Sequence, residues 1–259
     1  MALALVSPIV AACTTDTEDE TATGDGSTDT ETTEATGSTE DSTATTAAEA
    51  EAVEGEIRWG RTNLGFVSAY VLARGNTATI VDTGTSGSAE AIGQTLVDMG
   101  MTYADVDHVV LTHFHGDHAG SINEVLAMAD SATVYAGAAD LEQLNITPGG
   151  ETPDPESIVA LAGGEDVFGF EMLPTPGHTA GHIAVIDHDA GILVAGDAIF
   201  TDNGSVIEGP ERFFEDIPQS RETIQMLASL SYNTLLVGHG EPIEDAADAA
   251  VAVLADSLA

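Results

Sequence analysis

The chain has 259 residues, and 44 acidic side chains face five arginines and no lysine, for a formal net charge of -39. That balance argues against a nucleic-acid partner, because phosphate binding by counterion release needs the lysines and arginines that are missing. It resembles proteins of extreme halophiles, since molar salt screens self-repulsion over about 3 Å.

Taken in chain order, residues 2 to 12 form an apolar run that is too short to span a bilayer, which takes roughly 20 residues. The only cysteine follows at once. Val10-Ala11-Ala12-Cys13 is similar to a prokaryotic lipobox, in which the signal is cut before a cysteine that then carries lipid. No arginine or lysine precedes the run, a departure from the usual basic start of a signal. The expectation is a signal segment at residues 1 to 12, export, and anchoring to the outer face of the cell membrane through lipidated Cys13. From 13 to 54 the composition is Thr, Glu, Asp, Ser, Ala and Gly, with Val53 the only larger apolar side chain. Too little can be buried there to offset the entropy of ordering, so a disordered acidic linker is predicted. With a single cysteine, no intrachain disulfide is possible.

Residues 55 to 259 are enough for one domain with a substantial core. Strand-like runs occur at Ser68 to Ala73, Thr77 to Asp82, Val106 to Thr112, Thr133 to Ala136, His182 to Ile186, Ile192 to Ala195 and Thr234 to Val237. Helical stretches alternate with them. Ser88 is placed to cap a helix with Ile92, Leu96 and Met99 inward and Gly100 at its end, and Ser220 to cap another carrying Ile224, Leu227 and Ala228. The Pro- and Gly-rich segment from Glu142 to Ala162 is expected to line or cover a pocket.

Residues 113 to 118 read His113-Phe114-His115-Gly116-Asp117-His118, directly after an apolar, β-branched run. Downstream, Ile122, Val125, Leu126 and Ala129 fall at helical spacing, so the cluster sits at a strand-to-helix corner. Imidazole nitrogen and carboxylate oxygen are ligands that zinc, iron and manganese accept. His178, Asp197 and His239 each follow an extended run and are flanked by glycine or proline, as polar groups offered from loops at the ends of scaffold elements. His108 and His188 read as surface or hydrogen-bonded histidines. His182 is balanced between that reading and a supporting partner near His178.

With His113, His115, Asp117 and His118 forming an intact H-x-H-x-D-H signature, the chain resembles the metallo-β-lactamase fold superfamily over roughly residues 57 to 243. The resemblance implies an αββα sandwich of two mixed β-sheets with outer helices and a metal site along one edge. It also implies two zinc ions, with iron or manganese as alternatives. His113, His115 and His178 would hold one, Asp117, His118 and His239 the second, and Asp197 would bridge them. Asp82, in Thr79-Ile80-Val81-Asp82-Thr83-Gly84, would orient a ligand. Two such ions lower the pKa of a shared water towards ~7 and polarise a carbonyl, so hydrolysis of a small-molecule acyl substrate is expected, with Asp117 a candidate proton acceptor.

Within that superfamily the Pro-Gly-His-Thr and Gly-Asp-Ala-Ile-Phe contexts look most like the glyoxalase II branch, which hydrolyses hydroxyacyl-glutathione thioesters. Only 20 residues follow His239, too few for the helical C-terminal domain that helps that branch hold glutathione. A shorter thioester or another acyl substrate is therefore expected. A lactonase, a β-lactamase-type hydrolase, and a mononuclear iron persulfide dioxygenase using His113, His178 and Asp197 remain open. So does a non-catalytic metal- or solute-binding lipoprotein.

Overall fold

The structure, a computed structural model, describes residues 55 to 144 and 157 to 259. The expected signal, lipobox and linker at 1 to 54 lie outside the described residues, as does most of the segment expected to cover the pocket.

Six strands form the first sheet in sequential order: β1 (Ile57–Asn63), β2 (Ser68–Arg74), β3 (Thr77–Val81), β4 (Val106–Leu111), β5 (Thr133–Gly137) and β6 (Ile158–Leu161). The first three pair antiparallel, whereas β3 to β6 pair in parallel. In the second sheet lie β7 (Asp166–Val167), β8 (Phe170–Pro174), β9 (Ile183–Asp187) and β10 (Ile192–Gly196). A hairpin of β11 (Phe200–Asp202) and β12 (Ser205–Ile207) intervenes before β13 (Thr234–Val237), which pairs in parallel with β10. Both sheets are thus mixed.

Strand alternation sorts the apolar residues into three layers. Tyr70, Leu72, Val110, Phe170, Val185 and Val194 are buried together between the sheets. Their neighbours Val71, Ile80, Val109 and Leu111 turn the other way, packing under α1 (Ala89–Asp98) and α2 (Ile122–Leu126) through Ile92, Leu96, Ile122 and Val125. After the short α3 (Leu141–Leu144), the remaining helices are α4 (Ile217–Ala228) and α5 (Ala247–Ser257). They cover Leu193, Ala195 and Val237 with Ile224, Leu227 and Val251. The architecture is helix, sheet, sheet, helix.

Two capping expectations are corrected. Ser88 occupies the cap position of α1, but its side chain makes no cap hydrogen bond; its Oγ lies 3.3 Å from Thr85 Oγ1. Ser220 lies inside α4. Asp216 caps that helix by accepting from the backbone N–H of Gln219 at 3.0 Å, with Pro218 in the first turn. An extended aspartate with a proline in the first turn after it starts the helix earlier than a serine one turn later.

Residues 55 to 259 keep 31 acids against five arginines. Mutual repulsion on that scale opposes the compact state until it is screened. Thermal unfolding of the full chain, followed by circular dichroism, should therefore shift upward by about 10 °C or more between dilute and molar KCl. A transition that is insensitive to KCl would remove the high-salt reading of the composition.

Candidate metal centre

The parallel pairs β3–β4 and β10–β13 point their C-terminal ends to one edge of the sandwich, and the β8–β9 turn opens on the same edge. This delivers Asp82 after β3, residues 113 to 118 after β4, His178 before β9, Asp197 after β10 and His239 after β13.

His113 Nε2 and His178 Nε2 lie 3.0 and 2.9 Å from His115 Nδ1. Nitrogens sharing a tetrahedral zinc are about 3.3 Å apart, given bonds of about 2.0 to 2.1 Å. Asp117, His118 and His239 form a second group, with ligand atoms all within 4.8 Å of one another. Between the groups sits Asp197, 3 % exposed. Its Oδ2 is 3.4 Å from His178 Nε2 and 3.2 Å from His239 Nε2, while Oδ1 is 3.3 Å from His118 Nε2. All seven residues singled out from the sequence meet at this point.

The outer nitrogens fix the rings. His118 Nδ1 is 2.7 Å from Asp82 Oδ2, His239 Nδ1 donates to the Phe66 carbonyl at 2.6 Å, and His113 Nδ1 is 3.0 Å from Thr112 Oγ1. Each contact leaves Nε2 facing the centre. Asp82 also accepts from Thr112 N at 2.8 Å, and it holds a left-handed backbone, φ 63°. That conformation is strained for a residue with a Cβ and recurs at functional sites. At Gly238 a Cβ would come 2.2 Å from Asp197 Oδ1, so only glycine lets β13 close on the centre.

The donors fit divalent metal. Buried His118 Nε2 and Asp197 Oδ1 face one another yet have no hydrogen-bond partner. Orphaned buried polar atoms are costly unless an ion satisfies them.

Charge divides the two groups. Burial holds His113 and His115 below the usual histidine range and takes His178 down to about 4, so these rings are neutral. Burial opposes charge on His118 and His239 as well, but Asp197 and Asp82 outweigh it at the first, and Asp117 and Asp197 raise the second to about 10. At pH 7 a proton must therefore leave His239 before its Nε2 can bind metal, the upward shift at His118 acts in the same sense, and affinity for this group rises with pH. Zinc titration in buffers of differing ionisation enthalpy should show more protons released by the Asp117, His118 and His239 group than by the three-histidine group. Equal release from both would contradict this assignment.

His182 does not bond His178; their ring centres are 6.0 Å apart. Instead its Nε2 accepts from the backbone N–H of Asp197 at 3.0 Å and its Nδ1 lies 2.7 Å from Thr175 Oγ1, so it positions Asp197. His108 meets Tyr135, and exposed His188 pairs with Glu171 at 2.7 Å, both away from the centre. Asp140 was not legible in the sequence. It is buried and accepts from Thr179 Oγ1 at 2.7 Å and Gly181 N at 2.6 Å, with a further bond from the Phe114 backbone. One carboxylate thus ties the His113–His115 turn to the His178–His182 turn. An acid at the start of a short helix carries no local mark of such a role.

Above the centre opens a cleft of about 640 Å³, walled by Phe66, Phe200, Ile207, Pro210 and Phe213. These come from the β1–β2 loop, the β11–β12 hairpin and the segment after it. Of the segment expected to line or cover the pocket, residues 145 to 156 lie outside the described residues.

Residues 62 to 239 match the family model of the metallo-beta-lactamase superfamily. YobT of Bacillus subtilis, an uncharacterised protein, is 27 % identical over 68 % of this chain and 83 % of its own length. A hydroxyacylglutathione hydrolase of Shewanella baltica is 35 % identical over 49 % of this chain, and the match spans 44 % of that protein. The crystal structure of a metallo-beta-lactamase family protein from Thermus thermophilus superposes with a TM-score of 0.58 at 24 % identity, covering 78 % of this chain and 77 % of that one.

Proposed function

Because the chain belongs to the metallo-beta-lactamase superfamily, whose fold binds divalent metals, we propose that it is a two-metal hydrolase cleaving a thioester or other acyl bond. His113, His115 and His178 would hold one ion, and Asp117, His118 and His239 the other. The observation that carries the reading is Asp197, whose two oxygens reach imidazoles of both groups and so suit a bridge. When bound, the ions would supply hydroxide at neutral pH and polarise the acyl carbonyl. We assign zinc, although the same imidazole and carboxylate donors also suit iron and manganese.

The chain's own residues do the rest. Asp117 lines the cleft with its Oδ2 3.4 Å from His239 Nε2 and ionises more readily than a usual aspartate, although burial opposes its charge. It is placed to take a proton as water attacks. Buried Asp82, Thr112 and His182 hold the ring and carboxylate geometry, which spares reorganisation during the reaction. Phe66 and Phe200 stack on His239, with ring centres 6.1 and 5.2 Å away. Among the described residues lining the cleft, Thr201 is the only one with a hydroxyl, and that hydroxyl donates to the Glu241 carbonyl at 2.7 Å. Attack by water rather than by a side-chain nucleophile follows.

A single-iron oxygenase would leave Asp117, His118 and His239 without a task, which favours the hydrolase. Lactone and β-lactam cleavage use the same donors and are separated by assay. Initial rates of the zinc-loaded full chain would be measured against thioesters, lactones and β-lactams. Thioester turnover that is lost on chelation and restored by zinc is expected. Silence across all three classes with metal bound would sink the hydrolase reading. Export and tethering through Cys13 is proposed from Val10-Ala11-Ala12-Cys13 alone.

A further inference from the structure

Resting on the hydrolase reading, we propose that the substrate is uncharged and carries an apolar group of aromatic size beside the scissile carbonyl, seated against Phe66, Phe200 and Phe213. Phe66 is 63 % and Phe213 48 % exposed, although both line the cleft over the donors. Large aromatic rings left open around a concave site are a binding surface, and covering them is favourable.

Charge narrows the class further. Among the described residues no arginine lines the cleft, and the chain has no lysine to offer. Four of the five guanidiniums are engaged elsewhere: Arg58 with the Met99 carbonyl, Arg61 with Glu241, Arg74 with Asp187 and Arg221 with Glu208. The fifth, Arg212, lies over the Phe213 ring at 4.3 Å and is not among the residues lining the cleft. A leaving group bearing carboxylates, such as glutathione, would thus enter a strongly acidic protein in which no described side-chain cation lines the cleft to receive it. In molar salt such steering weakens further, while apolar burial persists.

The test uses one acyl series on two thiols, with the full zinc-loaded chain. For N-acetylcysteamine thioesters, kcat/KM should rise about tenfold from acetyl to phenylacetyl, in line with burying a ring. It should fall about tenfold when the same phenylacetyl group is carried by glutathione. Phe213→Ala should bring the phenylacetyl-to-acetyl ratio near one. Preference for the glutathione thioester, above all one that is lost in Arg212→Ala, would overturn the proposal.

Binding separates this idea from the hydrolase reading. Calorimetry with the uncleavable thioethers N-acetyl-S-phenethylcysteamine and S-phenethylglutathione, on metal-free and zinc-loaded chain, should favour the uncharged ligand about tenfold. If no thioester, lactone or β-lactam is turned over yet that preference holds and needs Phe213, the hydrolase reading falls and the apolar cleft stands. Equal or reversed affinities overturn the cleft proposal whatever the rates show.

Discussion

Asp197→Asn should leave the fold intact and lower kcat/KM by about 10³-fold or more, with bound metal falling from two ions towards one. The amide matches the carboxylate in shape, and the backbone N–H of residue 197 still donates to His182 Nε2. What disappears is the negative charge that faces three imidazoles, of His118, His178 and His239, at 3.2 to 3.4 Å. A neutral amide can offer one oxygen, not two, so it serves one ion at most. Metal analysis, circular dichroism and kinetics on the same sample check this. Two bound ions with a rate within tenfold of the parent would show that Asp197 does not bridge.

The second large effect is at Asp82, which touches no substrate. Its carboxylate accepts from Thr112 N, Thr112 Oγ1 and His118 Nδ1, four contacts between 2.7 and 3.0 Å in a buried site. In Asp82→Asn the left-handed backbone is tolerated, since asparagine visits that region readily. The amide N–H, however, then meets the Nδ1–H of His118. To relieve that clash His118 must move its proton to Nε2, which removes the lone pair needed at the centre. Zinc affinity of the Asp117, His118 and His239 group should fall 10- to 100-fold, roughly the scale seen when a ligand's outer hydrogen bond is lost. Stability should fall by about 1 to 3 kcal/mol. Chelator competition reads the first and thermal unfolding the second. A variant that unfolds earlier but binds zinc unchanged would make Asp82 a structural residue only.

Much of the scaffold is legible because both faces of its central strands are buried. The run from Val106 to Thr112 announces β4, which is found at Val106–Leu111, and the run from Thr234 to Val237 matches β13. Strand β1 has no such signal. Its sequence, Ile-Arg-Trp-Gly-Arg-Thr-Asn, carries two arginines and a glycine and becomes a strand through its full register with β2 at the sheet edge. Helix α5 escapes the pattern for the opposite reason: its alanine-rich sequence shows little contrast between faces, and burial of Val251 against the second sheet decides it.

At the centre the chemistry is local and the support is not. Histidines and aspartates bracketed by glycine at strand ends are visible residue by residue, so the seven donors, their order in the chain and the family they resemble came from sequence alone. Tertiary structure alone decided that His182 holds the Asp197 backbone, that Asp140 joins two ligand turns, and that Phe66, Phe200 and Phe213 wall the cleft. Each of these depends on pairs far apart in sequence, brought together when the parallel strands align their C-terminal ends. Periodicity and turn chemistry report on neighbours within a few residues, and contacts such as Gly181 to Asp140, 41 residues apart, leave no such trace.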